Sequence, residues 1–139
     1  MDVLVLVGRI LFALVFLVSA VGHLTQREAM GGYAASKGVP APVLATVFSG
    51  LLLLVGGLSV ALGVWADVGA LLLAVFCFPT AIVMHDFWKV GEPQTRQTEQ
   101  VMFLKDLALG GAALALFAFF AYVGDDLGLT ITGPLFTIS

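Results

Sequence analysis

Charge is scarce in this chain. Of its 139 residues only 11% are Asp, Glu, Lys or Arg, with a net charge of −3. A water-soluble domain carries about 25% charged residues, so there is too little polar surface to clothe one. There is no basic run and no interleaving of basic with aromatic residues, which speaks against nucleic acid as a partner. Cysteine is nearly absent too. Cys77 is the single thiol, which excludes an intramolecular disulfide and a two-cysteine relay within the chain and leaves a small packing residue as its ordinary role. His, Cys and carboxylates form no close group with ligand spacing, so no metal is expected. Gly31-Gly32 lacks the strand–helix setting of a phosphate loop or nucleophile elbow. Nor does the start read as a cleaved leader, because Asp2 precedes the first apolar run and Arg9 interrupts it.

What the chain does have is apolar length. Hydrophobic residues make up 60% of it, with a mean hydropathy of +1.10. They gather in four runs, residues 3–24, 43–63, 65–84 and 101–123. A bilayer core about 30 Å thick takes about 20 helical residues at about 1.5 Å each. Inside it the backbone must satisfy its own hydrogen bonds, so such runs read as spanning helices. Leu51-Leu52-Leu53-Leu54-Val55 is apolar all round, unlike the amphipathic helix of a soluble protein. The expected fold is an all-α integral membrane protein, one four-helix transmembrane domain over residues 1–139.

Basic residues give the orientation. Arg27, Lys37, Lys89 and Arg96 all lie in the stretches 25–42 and 85–100, whereas the N-terminus, the turn at 63–65 and the C-terminal tail have no Lys or Arg side chain. The positive-inside rule places those two loops in the cytoplasm and both termini outside. The halves also echo each other: Val7-Gly8, Ala13, Ser19-Ala20 and His23 find counterparts in Val68-Gly69, Ala74, Thr80-Ala81 and His85. Either a parallel repeat of helical hairpins or convergence of apolar helices on similar composition gives this pattern. Gly50, Gly56, Gly57, Gly110, Gly111 and Ala112 offer small surfaces for helix contact, with small-xxx-small spacing at Gly57/Ala61 and Ala108/Ala112. Pro79 predicts a bend in the third span.

Ionisable groups inside the spans are the candidate site residues. Arg9, Phe12, Phe16, Ser19 and His23 recur at helical spacing and share one face. Arg9 either reaches outward to lipid phosphate, Asp67 or Asp126, or turns into the bundle to hold a polar ligand. At the other rim stand His23, His85, Asp86, Lys105 and Asp106, with Phe87 and Trp88 beside them. Interfacial anchoring is one reading of this group. The other is a ligand or proton-relay site, since imidazoles beside an ion pair hydrogen-bond a carbonyl or move protons near neutral pH. Phe12, Phe16, Phe87 and Trp88 would then pack against a planar ring. Axial haem ligation by His23 and His85 is conceivable, but both sit at helix ends, and haem is not expected. No covalent cofactor is expected.

Three segments carry a resemblance to a family. TAIVMHDFW at residues 80–88 and QVMFLKDLALGGAAL at 100–114 are the most specific, joined by YAASKGVPAPVLA at 33–45 and the Arg9-bearing first span. In order and spacing the chain resembles the DoxX family of small four-span membrane proteins, over residues 5–123. The resemblance implies a membrane subunit of oxidoreductase systems, among them quinone-coupled sulfur-compound oxidation and thiol-redox complexes. Ser49-Gly50-Leu51-Leu52-Leu53 lacks the carboxylate that a family-like pattern has near the start of the second span. The expected function is a quinone-binding membrane subunit, the bilayer and a membrane-protein partner or second copy being its surroundings. A noncatalytic assembly protein and a small-solute carrier are the alternatives.

Overall fold

A computed structural model describes residues 1–138. The four expected spans are four long helices, joined by one short helix. Helix α1 is Asp2–Thr25, α2 Arg27–Ser36, α3 Pro42–Leu62, α4 Ala66–Met84 and α5 Pro93–Val123. Single 3-10 turns at Phe87–Lys89 and Gly124–Asp126 complete the helical structure, and no strand occurs among the described residues. The main packing partners are α1 with α3, α3 with α4, and α4 with α5, and α1 also meets α5 in an apolar cluster that joins Val5 to Phe120.

Both segments expected as loops are partly helical. Residues 27–36 form α2, which packs on α3 and buries Gly31 and Ala34. Residues 93–100 are the first turns of α5. Glu92 caps that helix, its carboxylate accepting from the amides of Gln94 (3.1 Å) and Thr95 (2.6 Å), and Pro93 occupies the first position. A proline there gives up only an amide that has no helical partner. At 31 residues, α5 is about 46 Å long by helical rise and outreaches the apolar layer.

Small residues set the helix contacts. Gly57 lies against Leu17 of α1, and Gly110 against Phe78 and Cys77 of α4. Ala108, Gly111 and Ala112 instead face outward from α5, so the second small-residue pair expected from the sequence makes no contact within the bundle. The echo between halves extends to burial. A shift of 61 residues carries buried Arg9, Ala13, Phe16 and Ala20 of α1 onto buried Ala70, Ala74, Cys77 and Ala81 of α4. A shift of 60 carries Thr46, Gly50, Leu53 and Val60 of α3 onto Asp106, Gly110, Ala113 and Phe120 of α5, all buried as well. The two hairpins thus hide equivalent positions.

The tail after α5 folds back over the end of the bundle that holds the termini. Amides of Ile131 and Thr132 donate to the Gly63 carbonyl, both at 3.0 Å, and the Trp65 amide donates to Thr132 Oγ1 at 2.9 Å. The α3–α4 turn beneath needs this support, because Gly63 (φ 71°) and Trp65 (φ 45°) are both left-handed, a conformation that strains tryptophan.

Candidate functional site

The sequence candidates separate into two groups at opposite ends of the bundle. Arg9 is 1% exposed and faces inward. Its Nε donates to the Val60 carbonyl (3.0 Å), Nη2 to Ala61 (2.9 Å), and both terminal nitrogens to Leu129 (3.0 Å each). Val60 and Ala61 belong to the last turn of α3, whose carbonyls lack helical partners and carry the negative end of the helix dipole. The guanidinium therefore caps α3 and ties the tail to it, through four of its five N–H donors. Asp67, fully buried, makes the matching contact, accepting from the amides of Leu135 (2.9 Å) and Phe136 (2.8 Å). Phe12 and Phe16 pack in the core between the ends, ring centroids 5.0 Å apart.

The other group lies about 20 Å along α1, judging by the 14 residues from Arg9 to His23. His23, His85, Lys105 and Asp106 converge on a chamber of about 190 Å³ between α1, α2, α4 and α5. Each histidine is oriented through Nδ1. His23 Nδ1 lies 2.8 Å from the Ser19 carbonyl, which can only accept, so Nδ1 carries the proton and Nε2 is the acceptor of the neutral ring. His85, just past the end of α4, has Nδ1 2.8 Å from Glu99 and Nε2 3.6 Å from Asp106. Asp106 is also 3.4 Å from Lys105, whose side chain is half exposed. Glu99 and Asp106 are seven residues apart on α5, two turns along one face.

Asp86 faces away from the chamber and locks its rim. Lys37 reaches it at 2.6 Å and Lys89 at 3.5 Å. The Tyr33 hydroxyl, also on the α2 side, donates to the Met84 carbonyl at 3.1 Å. The Asp86 hydrogen bond raises the Lys37 ammonium above the ordinary lysine range, while burial raises the Tyr33 phenol. This part of the α2 tether is complete below the ordinary lysine pKa and is lost as pH climbs through the raised one. Phe87 and Trp88 cluster with Phe103, centroids 5.3–5.7 Å apart, outside the chamber.

A second cavity of about 560 Å³ adjoins the chamber, and its lining is chiefly apolar. It lies between α2, α3 and α4. Phe48 and Val75, 67% and 55% exposed, stand at its edge on the outer faces of α3 and α4. None of these walls except His23 was a candidate from the sequence.

A DoxX sequence profile matches residues 4–86, more than half of the chain. The protein belongs to the DoxX family. Inner membrane protein YqjF of Escherichia coli (strain K12) is 33% identical over 115 residues, 83% of this chain and 82% of the relative. Inner membrane protein YphA of the same strain is 25% identical over 114 residues, 82% and 81% of the two chains. No solved structure matches significantly. The DoxX profile match covers α1 to α4 and closes at Asp86. Glu99, Lys105 and Asp106, which supply one wall of the chamber and the partner of His85, lie beyond it.

Proposed function

We propose that this DoxX-family protein binds a quinone or similar lipid-soluble redox partner as the membrane subunit of an oxidoreductase assembly. The supporting observation is the chamber itself: two imidazoles and a lysine–aspartate pair meet beside an apolar cavity within the bundle. Small-molecule sites have this composition, an apolar wall with a few convergent polar groups. In this reading His23 Nε2 accepts from a hydroxyl of the reduced ring, and Glu99, His85 and Asp106 form a proton path. A proton taken from Glu99 by Nδ1 is matched by release of the Nε2 proton toward Asp106. Electrons come from a partner protein, since the chain's own thiol, Cys77, is single and buried. The basic loop end, with α2 and the start of α5, faces the cytoplasm.

Purified protein in nanodiscs should bind a quinone in its reduced form, and His23→Ala should weaken that binding about tenfold, the worth of one good hydrogen bond to a polar ring. Intrinsic tryptophan quenching reads the titration. No binding by folded wild-type protein would defeat the proposal and favour the noncatalytic assembly role, whose mark is loss of a membrane partner on deletion. Solute flux in liposomes with this protein alone would favour the carrier instead.

A further inference from the structure

The two cavities are neighbours that share a wall. His23, Met30, Tyr33, Phe76, Thr80 and Met84 line both. Their characters differ: the small chamber gathers His85, Lys105 and Asp106, while the larger one is chiefly alkyl and aromatic, with Thr46, Ser49 and Thr80 its hydroxyl-bearing walls beside the shared His23 and Tyr33. The larger cavity also runs to outward-facing Phe48 and Val75, which lie mid-helix on α3 and α4 where lipid tails surround the bundle. A pair of adjoining cavities, one polar and narrow and the other apolar with a lipid-facing mouth, matches a molecule with the same division.

We infer that the two cavities form a bipartite site for an amphiphile, with a neutral oxygen-bearing ring in the chamber and an isoprenoid tail leaving between α3 and α4. The inference rests on the quinone reading above and adds the ligand's orientation and its route. Charge selects the head. Lys105 is balanced by Asp106, and His85 by Glu99 when the ring is protonated. With both carboxylates ionised, the chamber's charge is zero or negative in either state of His85. A phosphate headgroup finds no excess positive charge there and would have to desolvate beside two carboxylates. A neutral ring needs only hydrogen bonds. Its tail stays in an apolar setting throughout, so entry from the bilayer asks for no passage through water.

Two ligands with the same ring, one with an isoprenoid tail and one without, test this in nanodiscs of defined phospholipid. Wild-type protein should prefer the tailed form by at least about tenfold after correction for partition into the bilayer. Val75→Trp, which fills the mouth from an exposed position, should collapse that preference toward unity, whereas His23→Ala should weaken both ligands and keep it. A diazirine at the tail end should crosslink to α3 or α4. Equal affinity of the two ligands, an unchanged preference in Val75→Trp, or crosslinking to α1 or α5 would overturn the orientation while leaving quinone binding intact. Binding of neither ligand would remove the quinone reading and the bipartite site together. Phospholipid that stays bound in place of the tailed ligand would overturn the head assignment.

Discussion

Arg9 and His85 are both polar groups in an apolar protein, and their partners divide their roles. Arg9 meets only backbone carbonyls, at one helix end and in the tail. Replacing it with Met removes a cation that costs about 2.5–3.5 kcal/mol to place in a bilayer centre, yet it strands three carbonyls at about 1–3 kcal/mol each. Arg9→Met should therefore destabilise by roughly 3 kcal/mol and open the tail to protease, read by thermal melting and limited proteolysis. An unchanged proteolysis pattern would show that the tail is held elsewhere. His23 makes a sharper prediction. With Nδ1–H committed to the Ser19 carbonyl, the neutral His23 ring presents an acceptor at Nε2. A hydroquinone donates to such an atom and a quinone carbonyl cannot. The reduced ligand should bind about tenfold tighter than the oxidised one at mildly alkaline pH, measured by titration under anaerobic conditions. Preference for the oxidised form would mean that His23 does not hold the ring.

Helix ends decide what the apolar runs leave open. Thr95 and the amides of the first turn hold the Glu92 carboxylate below the ordinary glutamate range. A lowered folded pKa stabilises above the unfolded value and is lost as pH falls through the folded one. Acidification below the usual glutamate pKa should thus fray the start of α5, as Glu92→Gln should at neutral pH. Amide exchange at Gln94 and Thr95 reports both, and His85 should lose order with them because Glu99 sits on the same helix. The four spans were legible because twenty apolar residues have few other solutions. The first turns of α5 were not, since their polarity resembles a loop, although Glu92-Pro93 is a readable cap and start signal. Helix α2 depends on burying Gly31 and Ala34 against α3, which only the assembled hairpin provides. Glu99 was hidden for the first of these reasons. Once α5 is known to be continuous, its seven-residue spacing from Asp106 places both on one face.

At the scale of the molecule, the buried positions repeat between hairpins while their chemistry diverges. Arg9 corresponds to Ala70 and Thr46 to Asp106: the first hairpin holds the tail with a cation, while the second holds it with Asp67 and sets Asp106 at the chamber. A parallel repeat requires α1 and α4 to cross in one direction and α3 and α5 in the other. The loop ends of both hairpins must then lie on one side of the membrane, as Lys37 and Asp86 require by touching. Cys77 is buried, and removing it as Cys77→Ser clears the background for single-thiol labelling. In that background Ser36→Cys and Thr95→Cys, both exposed, should react with a membrane-impermeant maleimide from the cytoplasmic side only, and Thr137→Cys in the exposed tail from the opposite side only. Labelling of positions 36 and 95 from different sides would break the repeat, the Lys37–Asp86 tether and the chamber at once, because α2 and α5 could no longer share a wall.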